Sequence, residues 1–274
     1  MDLHYKNQGA NLDNELLPTG KKHVSYSEVR VWTECPYRHK LEQIDKIGVF
    51  VPSEHLDFGT AVHSSCEHYL KTRVMDTDIA LMKIVSAWDE NKFPDLEKWA
   101  QWAKNALDEV PAWLDNEFPG WETVSAEEAL YEEVEGRGAF FKGFVDCLIK
   151  VPHANGYDLW VMDWKTAGAG GWSPDKKRDK LVLAQVALYK SYLMKKHREL
   201  FEGARYVKCG YVLLKKGAKE GKRVELFPVS VGPVAMEKAN KFVSNAISGM
   251  RKGLQIKNRQ SCKYCPFLNT EHCT

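Results

Sequence analysis

Residues 139–165 read AFFKGFVDCLIKVPHANGYDLWVMDWK, and this stretch decides the fold. Ala139 to Val151 and Tyr157 to Lys165 are rich in aromatic and branched residues, and His153-Ala154-Asn155-Gly156 between them has the composition of a turn. The pattern predicts two antiparallel strands. Asp146 falls near the middle of the first strand and Asp163 at the end of the second, seventeen residues later. A hairpin can set these carboxylates side by side, which makes a site for a hard cation. Asp163 and Lys165 are two apart and leave the same sheet face, while Trp164 points to the other. Two carboxylates, a divalent ion and a lysine suit phosphodiester hydrolysis. The ion polarises the phosphate and lowers the pKa of bound water, and the lysine orients that water or stabilises developing charge.

Outward from this hairpin, Ala129 to Val134 is a preceding strand, with Gly136 and Gly138 near the turn that makes a three-strand meander. Leu181 to Leu193 has helical spacing, Tyr206 to Leu214 and Arg223 to Val229 read as strands, and Val234 to Met250 as a helix. Upstream, Ser25-Tyr26-Ser27-Glu28 opens a helix with Ser25 or Ser27 as N-cap. Leu56 to Arg73 is a further helix, on which His63, Glu67 and Leu70 share one face and Val62, Cys66 and Tyr69 another. Trp88, Trp99, Trp102 and Trp113 stand among acids in 78–118 and predict an acidic helical insertion packed by its aromatic side. The expected organisation is an extension over 1–24, N-terminal helices over 25–75, the insertion over 76–123, an α/β core over 124–235, and a C-terminal helix with a cysteine tail over 236–274.

The 274 residues are 44% hydrophobic and 28% charged, proportions of a soluble globular chain that exclude disorder and collagen-like structure. No uncharged stretch approaches the ~20 residues of a membrane span. The N-terminus has no apolar core that could act as a secretory signal, so a reducing, cytoplasmic setting without structural disulfides is expected. The formal charge of +2 conceals a segregation. Residues 76–135 carry 4 basic and 16 acidic side chains, a net of −12; 175–223 carry 15 and 5, a net of +10; and 237–274 carry 7 and 2, a net of +5. One strongly positive face suits a protein that holds a polyanion locally, although solvated helix surfaces would produce the same counts. A phosphate-binding G-x4-G-K-[ST] loop is absent, and with it a recognisable ATP motor.

Cys262, Cys265 and Cys273 crowd into the last thirteen residues, and Cys35 stands far upstream in Cys35-Pro36. A C-x2-C turn lets two thiolates converge on one metal centre. Four thiolates imply a closed site that either zinc or an iron-sulfur cluster accepts, and His272 beside Cys273 could replace one thiolate in a zinc site. Cys66, Cys147 and Cys209 are scattered singly and read as small buried hydrophobes.

Four segments, in order, resemble the PD-(D/E)XK nuclease superfamily, specifically its RecB-like branch with the iron-sulfur exonucleases of CRISPR loci and phages. They are Gly59-Thr60-Ala61-Val62-His63, Gly143-Phe144-Val145-Asp146, Asp163-Trp164-Lys165 and Gln185-Val186-Ala187-Leu188-Tyr189. The cysteine layout, one early and three late, matches the cluster-bearing members. The resemblance implies a restriction-endonuclease-like α/β core, a mixed central sheet flanked by helices, with an iron-sulfur region joining the N- and C-terminal parts. It implies His63, Asp146, Asp163 and the Trp164 carbonyl as metal ligands, Lys165 as the catalytic lysine, and Gln185 and Tyr189 as catalytic-site groups that contact nucleic acid. It further implies a 4Fe-4S cluster on Cys35, Cys262, Cys265 and Cys273. A histidine ligand favours Mn2+ over Mg2+, although either ion can serve. Glu67, one turn beyond His63, could hold that imidazole or a bound water.

The loop Gly168-Ala169-Gly170-Gly171-Trp172 leads into Lys176-Lys177-Arg178 and Lys180. Trp172 could stack on a base and the cations could follow phosphates, or the loop could simply be solvated. The expected activity is a metal-dependent DNA exonuclease on single-stranded ends, in recombination, repair, or CRISPR or phage DNA processing within a bacterial or phage-infected cell. Recombination or CRISPR adaptation proteins are candidate partners. The alternatives are a flap or branch endonuclease, and a non-catalytic DNA-binding adaptor that retains the fold.

Overall fold

The computed structural model describes residues 16–48 and 51–273, so most of the expected N-terminal extension, residues 1–15, lies outside the described residues. The chain forms two compact units. The larger comprises 51–130 and 143–239, and the smaller 16–48, 131–142 and 240–273.

In the larger unit the helices α3 (Glu54–Thr72), α4 (Asp78–Asn91) and α5 (Leu96–Glu117) precede the strands β2 (Glu122–Val134), β3 (Ala139–His153) and β4 (Gly156–Gly168). The β3–β4 hairpin pairs Cys147 with Met162 through His153 with Gly156. The chain then crosses over through α6 (Pro174–Arg178), α7 (Lys180–Lys196) and α8 (Arg198–Glu202) to β5 (Tyr206–Lys216). β5 lies parallel to β4, as a helical crossover dictates, and β6 (Val224–Val229) pairs antiparallel with β5. The result is a mixed sheet with helices on both faces.

Alternation along the strands sorts those faces. Cys147, Ile149, Met162, Trp164, Val212 and Leu214 turn toward α3, α4 and α5 and share one core with Phe58, Val62, Leu70 and Leu107. The opposite face carries Asp163 and Tyr211, and α7 packs there, its Val182 carbonyl accepting from the Tyr211 hydroxyl at 2.5 Å. α7 is buried over most of its length, as expected of a crossover helix on a sheet. The insertion is held by a chain of rings, Trp88 with Phe93 at 5.1 Å, Trp88 with Trp99 at 5.3 Å and Trp99 with Trp102 at 5.3 Å. Each such ring withdraws ~150–250 Å² from water at ~25 cal/mol per Å², several kcal/mol apiece, so apolar burial outweighs the repulsion among its solvated acids.

The smaller unit joins both ends of the chain. Its first strand, β1 (His23–Ser25), runs parallel to the start of β3, His23 opposite Phe140. The sequence pattern assigned no strand there because three residues show no period. Ser25 caps α1 (Tyr26–Glu34), its hydroxyl accepting from the Glu28 N–H at 3.2 Å. α2 (Pro36–His39) continues into a π-helical turn, Lys40–Ile44. α9 (Pro233–Arg251) ends in this unit, and a 3-10 turn, Arg259–Tyr264, follows. Buried Glu28 and His39 meet at 3.2 Å and join α1 to α2.

Candidate metal centre

The β3–β4 ladder is regular up to Cys147 and Met162. Continued by one pair, the register sets Asp146 opposite Asp163, as the hairpin spacing predicts. At that point the Asp146 side chain takes over from the backbone, its Oδ2 accepting from the Trp164 N–H at 2.8 Å. Asp163 is 1% exposed, its Oδ1 accepting from Gln185 Nε2 at 2.8 Å and its Oδ2 2.6 Å from Lys165 Nζ, an ion pair that leaves this buried oxygen without a partner of hydrogen-bond geometry among the described residues. Gln185 Nε2 also donates to the Tyr189 hydroxyl at 2.9 Å, and both residues are buried. The i, i+4 pair on α7 thus reaches the site, where it holds the Asp163 carboxylate in one rotamer.

His63, on α3, brings Nδ1 to 3.6 Å from Asp146 Oδ2, and its ring also hydrogen-bonds the backbone of Trp164. Burial pushes the imidazole pKa down to about 4 against the opposing pull of Asp163, so the ring is neutral near pH 7 and keeps a lone pair for coordination. Glu127, on β2, is a donor that the sequence reading did not single out. One donor atom each from His63, Glu127 and Asp146 lies within 4.8 Å of the others. Glu127 has φ of 52°, left-handed and rare within a strand. No local pattern in the sequence marks it, since the predicted strand begins only at Ala129 and adjacent acids recur at Glu132-Glu133.

Three carboxylates, Glu127, Asp146 and Asp163, face one ammonium, Lys165. With all four ionised and His63 neutral, the net charge is 1 − 3 = −2. Burial and the Asp163 charge drive the Asp146 pKa well up, and burial with Glu67 and Asp163 raises that of Glu127. Carboxylates crowded in this way gain most from a dication. The donor types, imidazole nitrogen and carboxylate oxygen, fit manganese or magnesium. Glu67 pairs with Lys71 at 2.5 Å.

The loop residues sit differently from the expectation of a free base-stacking platform. Trp172 is buried, its ring 4.9 Å from Tyr211 and 5.7 Å from Phe227, because those β5 and β6 aromatics offer it an apolar seat. The ring anchors the loop in the core and presents no open face to a base. Lys176 lies over Trp172 at 4.8 Å, Lys177 is 3.4 Å from Glu225, Arg178 bonds Asp175 at 2.9 Å, and Lys180 is exposed at the start of α7.

In the smaller unit, Cys35, Cys262, Cys265 and Cys273 line one small pocket with Tyr37, Leu41 and Phe267. Cys35 caps α2 with Pro36 at the first helical position, the arrangement that suits proline. The tail is tied to it, as Asn258 Nδ2 and Ser261 Oγ donate to the Glu34 carbonyl at 2.8 and 2.9 Å and the Tyr37 hydroxyl to the His272 carbonyl at 3.1 Å. His272 is not among the lining residues, and its ring meets Phe267 edge-on at 6.2 Å. Among the described residues, no three of these sulfurs lie within 4.8 Å of one another.

The model of the PD-(D/E)XK nuclease superfamily matches residues 23–270, nearly the whole chain. A crystal structure of a candidate exonuclease from Eubacterium rectale superposes with a TM-score of 0.53, covering 97% of this chain and 92% of that one at 13% identity. At that identity the likeness is one of fold. No curated protein matches the chain.

Proposed function

The chain belongs to the PD-(D/E)XK nuclease superfamily, and from that premise we propose that it is a metal-dependent DNA exonuclease of the RecB-like kind that acts on single-stranded ends. The observation that carries this reading is the meeting of Asp146, Asp163 and Lys165 at the end of a strand pair, with His63 and Glu127 closing round them. Asp146, Asp163, His63 and Glu127, with the Trp164 carbonyl, would hold a divalent ion, which lowers the pKa of a bound water and offsets charge on the phosphate. Lys165, kept in place by Asp163, orients the attacking water or donates to a phosphate oxygen as charge builds. Gln185 and Tyr189 keep the Asp163 carboxylate from turning away, so the lysine and the acid stay in register with the scissile bond. Neutral His63 serves as a donor without adding a competing positive charge.

Charge supports a nucleic-acid substrate. The block 175–223, net +10, contains α7 and β5, the elements beside Asp163 and Lys165. A flexible strand reaches such a site more readily than a duplex, which must unpair at ~1.4 kcal/mol per base-pair step. The four cysteines of the tail cavity would hold a 4Fe-4S cluster. A cluster takes each thiolate on a different iron, and four cysteines converging on one pocket suit it. The deciding experiment incubates purified protein with Mn2+ and either an end-labelled linear single strand or a covalently closed circle of the same sequence. Degradation of the linear strand alone is expected, and equal loss of the circle would reject the exonuclease reading in favour of an endonuclease. Iron and sulfide analysis of the same preparation checks the cluster, and stoichiometric zinc without iron would reject it.

A further inference from the structure

β2 runs unbroken past the cation site but turns irregularly at Glu127. Glu128 is anchored to the far end of α7, its Oε1 2.9 Å from Lys196 Nζ and 2.5 Å from His197 Nε2, while Oε2 accepts from Ser125 Oγ at 2.5 Å. Lys196 Nζ also donates to the Ala129 carbonyl at 2.9 Å, so the Glu128 side chain and the backbone just after it are fastened to the helix. In a regular strand, Glu127 would leave on the face opposite to Glu128, away from α7. Asp146 and Asp163 are on the α7 side, as the Gln185 bond to Asp163 shows. The left-handed φ of 52° at Glu127 cancels the alternation and brings its carboxylate to His63 and Asp146. A non-glycine residue holds that conformation only where its surroundings over-determine it, and the Glu128 anchor supplies the determination.

We infer that Glu128 is a positioning residue of the cation site: its attachment to Lys196 and His197 fixes the backbone turn that holds Glu127 among the donors. The inference rests on the reading of the site as a divalent-cation centre. It is tested by Mn2+ affinity, measured by titration calorimetry on the full chain. Glu128→Gln should weaken Mn2+ binding by about tenfold or more, the usual effect of removing a support behind a ligand. Glu127→Gln should weaken it comparably, and the double variant should bind no more weakly than Glu127→Gln alone, since both changes remove one donor. Glu127→Gly, in which the left-handed turn is unstrained, should melt no lower than the parent in EDTA and yet bind Mn2+ as poorly as Glu127→Gln. Should Glu128→Gln not fold, His197→Ala loosens the same anchor from the helix side and carries the same expectation. Unchanged Mn2+ affinity in the anchor variants, or a loss that adds in full to that of Glu127→Gln, would overturn the inference. Asp146→Asn separates the two readings. If it binds Mn2+ like the parent, the cation-site reading fails; if it loses binding while the anchor variants keep it, only the role of Glu128 fails.

Discussion

Asp146→Asn should make the protein more stable without metal and less stable with it. The asparagine keeps an oxygen for the Trp164 N–H that Asp146 Oδ2 now accepts at 2.8 Å, so the fold loses little. What it removes is a charge opposite Asp163. Carboxylates on directly opposed strand residues stand roughly 5 Å apart, which at an effective dielectric of ~20 gives a repulsion of ~3 kcal/mol. Weakening the bond to Trp164 from charged to neutral returns ~1 kcal/mol, leaving a net gain of ~1–2 kcal/mol in EDTA at pH 8. For a cooperative unit of about 180 residues, that raises Tm by ~2–8 °C. With Mn2+ at ~100 times its dissociation constant, the parent gains ~2.7 kcal/mol, or ~5–11 °C, and the variant loses most of that rise. The order of melting therefore inverts between the two buffers, as scanning fluorimetry or circular dichroism would read. A variant that melts below the parent in EDTA, or that keeps the full Mn2+ shift, would refute the crowded-carboxylate account.

Lys165→Met should reduce linear-strand cleavage by at least ~10²-fold while Mn2+ affinity holds or rises, because a cation leaves the neighbourhood of the ion; calorimetry and single-turnover cleavage measure both. Asp158, buried between Arg205 at 3.0 Å, Lys208 at 2.9 Å and His153 at 3.1 Å, has its carboxyl pKa held down to about 2, chiefly by hydrogen bonds from Arg205 and Lys208 acting against burial. Its stabilisation is present above the unfolded pKa near 4 and is lost as pH falls through about 2. Because those cations stand partly in solvent, Asp158→Asn should cost about 1–2 kcal/mol at pH 6 in urea unfolding, with the difference closing toward pH 2. Gly249→Ala would drive a methyl into the Trp32 ring in the smaller unit. The overpacking of ~1–3 kcal/mol should outweigh the ~1 kcal/mol that alanine adds to helix propensity, and Trp32→Leu should relieve it.

The elements that could be read from sequence are those whose periodicity is local. The β3–β4 hairpin, α3, α7 and the tryptophan-packed insertion all fall where alternation or helical spacing puts them, and with them Asp146, Asp163, Lys165 and His63 converge. Glu127 was illegible because its orientation is set by Lys196 and His197, some seventy residues away, and no local pattern encodes that contact. Trp172 looked exposed because glycines surround it in sequence, but its neighbours in space, Tyr211 and Phe227, come from strands that follow. Gln185 and Tyr189 lie on a helix so apolar that only the resemblance separated them from core, and the structure spends their polar atoms on Asp163 and on each other. The cysteines illustrate the opposite case, since chain ends more than two hundred residues apart meet at one cavity that spacing alone only suggested.

α7 acts on the site from two places at once. Gln185 touches Asp163 near its middle, and Lys196 and His197 hold Glu128 at its end, eleven and twelve residues further on, or ~17 Å along the axis. The helix is in effect a gauge whose length and rotational phase match two strands to each other. One residue inserted between Tyr189 and Lys195 would advance the far end by ~1.5 Å and turn it by ~100°, putting one anchor or the other out of phase. The loops flanking the crossover carry no such constraint. Length variation during divergence of this chain should therefore collect before Asp179 and after Gly203, while α7 itself keeps its residue count even where its surface changes.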